Sequence, residues 1–124
     1  MTNGEIMKNK KIIYVDIDGT IAVNRDALRI TQPSAEYEDI YPFNDRIKTI
    51  KKLYDQGHTI VYWTARGAVS GKDHTELTKK QLKEWGAKYH RLDIGNKPHF
   101  DMYICDKSYN SESWFYLNKL EDGE

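Results

Sequence analysis

The stretch "KIIYVDIDGT", residues 11–20, decides the fold. Residues 11–17 are almost all β-branched, aromatic or otherwise apolar, without polar alternation, which predicts a strand covered on both faces of a parallel sheet. Asp16 and Asp18 fall at the end of this run, and Gly19 lets the chain bend sharply after them. Two carboxylates at a buried strand end repel each other, so we expect a cation to offset them.

Further strands alternate with helices along the chain. "TIVYW" (59–63) and "MYIC" (102–105) have the character of the first strand, and "KYHRL" (88–92) is a weaker strand candidate. Apolar residues recur at helical spacing over residues 44–56 and 74–85, and "SESWFYLNKL" (111–120) predicts a last helix. This order predicts the α/β class, with a parallel sheet and right-handed crossovers.

The ends of the two longer helices have recognisable signals. Gly57 and Gly86 stand where a glycine commonly terminates a helix. Asn44 or Asp45 is expected to cap the first helix, and the pattern from Asp73 to Glu76 resembles a capping box for the second.

Composition and length restrict the class of protein. The chain has 124 residues, 19 basic and 19 acidic, and therefore zero net charge, which argues against a nucleic-acid partner. We expect one domain over residues 10–120, a flexible tail at 1–9 and an acidic end at 121–124. Cys105 is the sole cysteine, and no apolar run approaches the ~20 residues needed to cross a bilayer, so we expect a cytoplasmic protein without a membrane partner.

Polar residues collect where the predicted strands end. In parallel α/β sheets the ligand site lies at the carboxyl ends of the strands. That rule selects six residues of this chain: Asp16, Asp18, Thr64, Ala65, Arg66 and Asp106. Three carboxylates with room for water suit Mg²⁺. A hydroxyl, Lys97, an arginine and Mg²⁺ together would receive a phosphoryl group, which a neighbouring carboxylate could attack.

Three segments carry a resemblance to a known family. "DIDGT" (16–20), "WTAR" (63–66) and "NKPHFDMYICD" (96–106) resemble the successive motifs of phosphatases of the haloacid dehalogenase superfamily. The nearest likeness is to its small capsule and polysaccharide-biosynthesis phosphatases, and it covers roughly residues 10–110. The resemblance implies a three-layer, Rossmann-like parallel sheet flanked by helices. Because the interval 21–43 is too short for a cap domain, we expect a short flap and an open site.

The resemblance also implies a role for each matching residue. Asp16 would be the nucleophile and a Mg²⁺ ligand, and Asp18 would be the acid and base, touching the metal through its carbonyl. Thr64 would bind phosphoryl oxygens, Lys97 would bridge nucleophile and phosphate, and Asp106 would complete the metal shell. The phosphate- or substrate-binding positions would be Gly19, Thr20, Ala65 and Arg66. Many relatives have two adjacent acids at the end of the last strand, where this chain has Cys105 before Asp106.

The sequence therefore predicts a Mg²⁺-dependent phosphomonoesterase acting through an aspartyl-phosphate on a small phosphorylated metabolite, a sugar phosphate in the first instance. A nucleotide or polynucleotide phosphatase is the alternative within the same chemistry. An inactive phosphate-binding protein or a phosphoacceptor domain is the alternative of a different class. An open site could also take a wall from a second subunit, so a homo-oligomer is a further expectation. Trp63, directly before Thr64, fits either the core or the pocket wall.

Overall fold

The computed structural model describes residues 10–24, 37 and 40–119. The expected tail, the acidic end and residues 25–36, 38 and 39 of the interval before the first helix lie outside the described residues. In chain order the described elements are β1 (Ile12–Val15), β2 (Ala22–Asn24), β3 (Ile40–Pro42), α1 (Asn44–Asp55), β4 (Thr59–Thr64), α2 (Thr75–Glu84), β5 (Arg91–Ile94) and α3 (Ser111–Leu117).

The main sheet is parallel and three-stranded, in the order β1-β4-β5. Ile12 pairs with Thr59, and Val61 pairs with Arg91, so the three strands run in register toward one edge. Strands form within the predicted stretches 11–17 and 59–63, as β1 and β4. The expectation that the first of them is covered on both faces is wrong, because Ile12 and Tyr14 are 71% and 49% exposed. The weaker candidate at 88–92 becomes β5, which begins three residues later, at Arg91.

A tight turn carries the chain from β1 into a two-stranded antiparallel ribbon, β2 with β3. The carbonyl of Ile17 accepts hydrogen bonds from the amides of Thr20, Ile21 and Ala22 at 2.9–3.2 Å. Gly19 has a φ of +85°, a conformation that costs other residues free energy. This ribbon lies in the interval 21–43, for which the sequence predicts a short flap; the described residues do not test whether it acts as one. The turn leaves both aspartates at the carboxyl end of β1.

One hydrophobic core joins the sheet to all three helices. Its buried members are Val15, Ile17, Ile21, Ile47, Ile50, Ile60, Tyr62, Leu82 and Phe115. Full burial of an aliphatic side chain contributes about 1.5–3 kcal/mol, so Ile17 and Ile60, both 0% exposed, are strong contributors. The crossovers from β1 to β4 and from β4 to β5 run in the same direction, which places α1 and α2 on the same face.

The opposite face of the sheet carries Tyr14, Val61 and Trp63, none of which belongs to the core cluster. Side chains alternate along a strand, so these residues point away from Val15 and Tyr62. Within the described residues, all three helices contribute to the core on one face. The third layer expected from the resemblance is therefore not seen in this part of the chain.

The strand predicted at 102–105 is wrong. Met102, Tyr103 and Ile104 are 76%, 55% and 88% exposed, and this segment has no ladder partner among the described residues. Apolar composition favours a strand only where a neighbouring strand supplies hydrogen bonds and cover. Here the chain turns instead, and the amide of Lys107 donates to Cys105 Sγ at 3.3 Å.

The predicted helix ends are confirmed: Gly57 and Gly86 follow α1 and α2 with positive φ. The residues at the two N-caps are Phe43 and His74, and neither makes a side-chain cap hydrogen bond, so the cap predicted for α1 is wrong. At the start of α2 the carboxylate of Asp73 does accept from the amide of Thr75 at 2.9 Å, as predicted, but no hydrogen bond from Glu76 completes a capping box among the described residues. Asn110 caps α3 through the amides of residues 112 and 113. Across the described residues we find no helix with the length and apolar character that a bilayer crossing requires.

Candidate active site

A pocket of about 230 Å³ opens at the carboxyl ends of β1 and β4. It is lined by Asp16, Asp18, Tyr37, Thr64, Ala65, Arg66, Lys97, Pro98, His99 and Phe100. Six of the predicted site residues therefore come together. Three others, Gly19, Thr20 and Asp106, do not line this pocket.

Asp16 is held by two neighbours from different parts of the chain. Lys97 Nζ donates to Asp16 Oδ1 at 2.9 Å, and Thr20 Oγ1 donates to Asp16 Oδ2 at 3.2 Å. The side chain of Lys97 is 13% exposed, whereas that of Asp16 is 38% exposed. The ammonium is thus largely withdrawn from water, while the carboxylate remains accessible to a molecule in the pocket.

Asp18 forms a bidentate ion pair with Arg66. The guanidinium Nε and Nη2 donate to the two carboxylate oxygens at 2.9 and 2.8 Å. Arg66 is 2% exposed, and the side chain of Asp18 is 33% exposed. A planar guanidinium matches a carboxylate in this geometry better than an ammonium does.

The remaining contacts of Arg66 fix its direction. Its Nη1 donates to Thr78 Oγ1 at 3.0 Å and to Gln81 Oε1 at 2.5 Å. Four of the five N–H groups of the guanidinium are therefore used inside the protein. The sequence predicted a phosphate or substrate contact for Arg66, but in the structure it is directed at Asp18. Burial and four internal acceptors are the physical reason.

Sequence reasoning missed Thr78, Gln81 and Tyr37. Thr78 and Gln81 lie about one turn apart on α2 and are buried, 1% and 7% exposed. Gln81 Nε2 also donates to the carbonyl of Tyr37 at 2.5 Å, and the Tyr37 ring lies 4.8 Å from the Arg66 guanidinium. The sequence did contain a signal for them. Thr78 and Gln81 lie beside Leu82 on the inward-packing face of α2, and buried polar side chains need hydrogen-bond partners, so their presence there indicates a polar partner inside the protein.

Thr64 ends β4 and is 1% exposed. Its Oγ1 accepts a hydrogen bond from the amide of Arg66 at 3.2 Å, which leaves the O–H as a donor for an oxygen in the pocket. The amides of Gly19 and Thr20, by contrast, donate to the carbonyls of Ala22 and Ile17 within the turn. In this arrangement those two residues shape the turn and do not offer their amides to a phosphate.

Asp106 is not brought to the aspartate pair. It lies in an exposed turn, where its carboxylate is 3.9 Å from Cys105 Sγ. In the same turn, the pKa of the Cys105 thiol is lowered, mainly by a hydrogen bond from Tyr103 and to a smaller extent by one from the amide of Lys107. Among the residues that the structure describes, no three His, Cys, Asp or Glu side chains form a group able to hold a metal. The predicted three-carboxylate cluster is therefore not formed, because the segment before Asp106 does not join the sheet.

The groups that remain fit a sparser Mg²⁺ site. Magnesium commonly uses one or two carboxylates, with water and substrate phosphate filling its other positions. Asp16 and Asp18 both line the pocket, and each of their carboxylate oxygens already accepts one hydrogen bond. Both oxygens of Asp18 face the fixed guanidinium of Arg66, whereas Asp16 shares its charge with one ammonium and a neutral hydroxyl, so Asp16 is the better carboxylate ligand for a cation. The donor set thus suits a metal bound together with a phosphorylated ligand better than a closed protein site.

Comparison with known proteins bears on the fold. No family model matches the chain, and no curated protein is significantly similar to it. A crystal structure from Vibrio cholerae, described as an MCSG target, matches with a TM-score of 0.67 and 22% sequence identity, over 85% of this chain and 86% of that chain. A likeness at this identity shows the fold alone. The chain therefore has an α/β fold with a small parallel sheet flanked by helices.

Proposed function

We propose that this protein is a phosphatase of the haloacid dehalogenase type, which hydrolyses a phosphomonoester through an aspartyl-phosphate on Asp16. One observation carries the proposal. Two carboxylates two residues apart at the end of β1 each bind a cation from another element, with Thr64 in the same pocket. A nucleophile, a second carboxylate, a hydroxyl donor and an ammonium are the groups that phosphoryl transfer requires.

In the first half-reaction, an oxygen of Asp16 attacks phosphorus and the bond from phosphorus to the leaving oxygen breaks. Lys97, which already contacts Asp16 Oδ1, neutralises charge on the carboxylate and on the phosphoryl oxygens. Thr64 donates its O–H to one of those oxygens. The leaving oxygen takes a proton from Asp18 in its acid form.

In the second half-reaction, Asp18 accepts a proton from water, and the resulting hydroxide attacks the phosphorus of the aspartyl-phosphate. The P–O bond to Asp16 breaks, which releases phosphate and restores the carboxylate. Each oxygen of Asp18 accepts one hydrogen bond from Arg66 and keeps a second lone pair, so Asp18 can give and take a proton while Arg66 stays in place.

Mg²⁺ is the cofactor we propose, with the Asp16 carboxylate and the main-chain carbonyl of Asp18 as the protein groups that would hold it. When bound, the ion supplies positive charge that offsets the phosphoryl oxygens during transfer.

The substrate we propose is a small phosphorylated metabolite, in the first instance a sugar phosphate, in the cytoplasm. A pocket of about 230 Å³ is smaller than the ~300–1,000 Å³ typical of sites that enclose a whole ligand. It therefore suits a phosphate with the rest of the substrate outside, against the exposed lining residues His99 and Phe100. The zero net charge gives no general attraction for a polynucleotide.

The test is phosphate release from a panel of sugar phosphates, nucleotides and an aryl phosphate, with Mg²⁺ and with chelator. Asp16→Asn is expected to lower release on the order of a thousand-fold, since a catalytic nucleophile is lost. Asp55→Asn, an equal change of charge on an exposed residue of α1, is the matched control and should act like the wild type. No release by the folded wild type from any compound would reject the proposal, and release that persists in Asp16→Asn would reject the nucleophile.

A further inference from the structure

Trp63 does not line the pocket, but it contacts Lys97, one of the proposed catalytic residues. Its indole N–H donates to Asn96 Oδ1 at 3.0 Å, and Lys97 Nζ lies 5.2 Å from the centre of its ring. The same Nζ donates to Asp16 Oδ1 at 2.9 Å. One side chain of β4 therefore touches two successive residues of the loop that delivers Lys97.

That loop has few other restraints. Beyond the β5 ladder, residues 95–100 make two hydrogen bonds within the described part of the chain, Asn96 with Trp63 and Lys97 with Asp16. A lysine has a flexible four-carbon stem, so its ammonium is poorly fixed unless its surroundings hold it. An aromatic face attracts an ammonium within about 6 Å of its centre.

We propose that Trp63 is a positioning residue for Lys97, an inference that rests on the proposed phosphatase function. The indole N–H holds the side chain of Asn96, the residue before Lys97, and the ring face holds the ammonium beside Asp16. Lys97 depends most on the ring contact when Asp16 is phosphorylated, because the carboxylate has then lost the negative charge that attracts the ammonium. Lys97 must then move its hydrogen bond to the phosphoryl group without leaving the site, and the ring contact remains in both states.

A purely structural role for Trp63 is the rival explanation. The ring packs edge-on against Tyr14, with 5.6 Å between centres, on the sheet face away from the core. If packing were its whole contribution, truncation of either aromatic partner would have similar consequences. Within the described part of the chain Tyr14 contacts Arg91 and Trp63, and no hydrogen bond or ring contact joins it to Lys97 or Asp16, so Tyr14→Leu is the matched control.

The first arm of the test is a double-mutant cycle on kcat and KM with an aryl phosphate. Trp63→Leu is expected to lower kcat/KM about thirtyfold, mostly in kcat, because misplacing a catalytic group by an ångström is costly. Trp63→Phe and Asn96→Ala, which both remove the hydrogen bond between the indole and Asn96 and leave an aromatic ring beside Lys97, should lose about three- to fivefold. In a Lys97→Met background, Trp63→Leu should cost less than about threefold. Tyr14→Leu should stay within about twofold of the wild type.

The second arm needs no turnover. In a Trp85→Phe/Trp114→Phe protein, Trp63 is the remaining tryptophan. Lys97→Met is expected to change its fluorescence emission, whereas Lys107→Met, at an exposed turn residue that makes no ring contact or hydrogen bond with Trp63 in the described structure, should not. Unchanged emission in Lys97→Met, or the same kinetic loss from Trp63→Leu with and without Lys97, would overturn the proposal. If the wild type releases no phosphate, the phosphatase function fails, and the emission still decides whether Trp63 holds Lys97.

Discussion

Removal of the Arg66 side chain should be among the most destabilising single changes in this protein. Arg66→Met keeps much of the volume but deletes the guanidinium, so Asp18 loses both of its charge-assisted hydrogen bonds. Thr78 and Gln81, both buried, each lose one partner as well. Breaking a buried ion pair from one side typically costs about 3–5 kcal/mol.

The solvent exposure of Asp18 decides where in this range the loss of unfolding free energy falls. Its side chain is 33% exposed, so water solvates part of the carboxylate that is left behind. This favours the lower half of the range, and we expect a loss of about 3–4 kcal/mol in the free energy of unfolding. Small domains have about 5–15 kcal/mol in total, so the variant should remain folded but much weakened.

Equilibrium unfolding in urea, followed by circular dichroism at pH 7, measures the loss. Lys51→Met is the matched control, because it breaks an exposed i,i+4 pair with Asp55 and should cost about 0.3–0.5 kcal/mol. Asp18→Asn should also destabilise the protein, since the buried cation loses its counter-charge. Combined with Arg66→Met it should cost less than the sum of the two. A loss below about 1 kcal/mol for Arg66→Met, or strict additivity, would refute the reasoning.

Three further predictions concern local structure. The Tyr62 hydroxyl is buried without a hydrogen-bond partner among the described residues, so Tyr62→Phe should stabilise the protein by up to about 1 kcal/mol. Burial also raises the pKa of Tyr62, so above pH 10 the folded state keeps a proton that the unfolded state loses. Stability should then fall with rising pH, by up to about 1.4 kcal/mol per unit, and less steeply in Tyr62→Phe; equal alkaline slopes would contradict this. Gly67 has a φ of +86°, and a Cβ there would lie 2.2 Å from the Lys72 carbonyl oxygen. Gly67→Ala should cost at least about 2 kcal/mol, against about 1 for Gly71→Ala, where the added carbon meets open space; equal losses in urea would exclude the clash. Asn110→Ala should cost about 1 kcal/mol by removing the α3 cap, while Asn110→Asp should be nearly neutral, and a neutral alanine variant would deny the cap a role.

The strands and helices that could be predicted are those whose own residues specify them. β1 and β4 have continuous apolar, β-branched or aromatic sequences, and the structure pairs them side by side in the sheet, with β4 between β1 and β5. α1 and α2 have an apolar stripe and a terminal glycine, which are local signals. The segment at 102–105 has a composition like that of β1 but no partner in the described residues. Strand formation depends on a partner segment, and the composition of a single segment does not show whether a partner is present.

The candidate site divides in the same way. Asp16, Asp18, Thr64 and Lys97 were predicted to converge, and they line one pocket, because strand ends in a parallel sheet share an edge. The direction of Arg66 could not be predicted, since its acceptors lie 12 and 15 residues later on α2. Asp106 was predicted to join the site because it follows the strand expected at 102–105, and that strand does not form. Errors in the site therefore follow from contacts between segments distant in sequence.

The charges in the pocket explain how two aspartates are tolerated at the end of β1. Asp16 and Asp18 carry two negative charges, and Lys97 and Arg66 carry two positive ones, at 2.8–2.9 Å. With His99 counted as neutral, the titratable residues lining the pocket balance before any ligand enters. A phosphate dianion would then find one cation that can reorient, Lys97, because Arg66 is held by Asp18 and α2. Further positive charge has to arrive with the substrate, which is the physical argument for Mg²⁺ in the proposed reaction and for the chelator arm of its test.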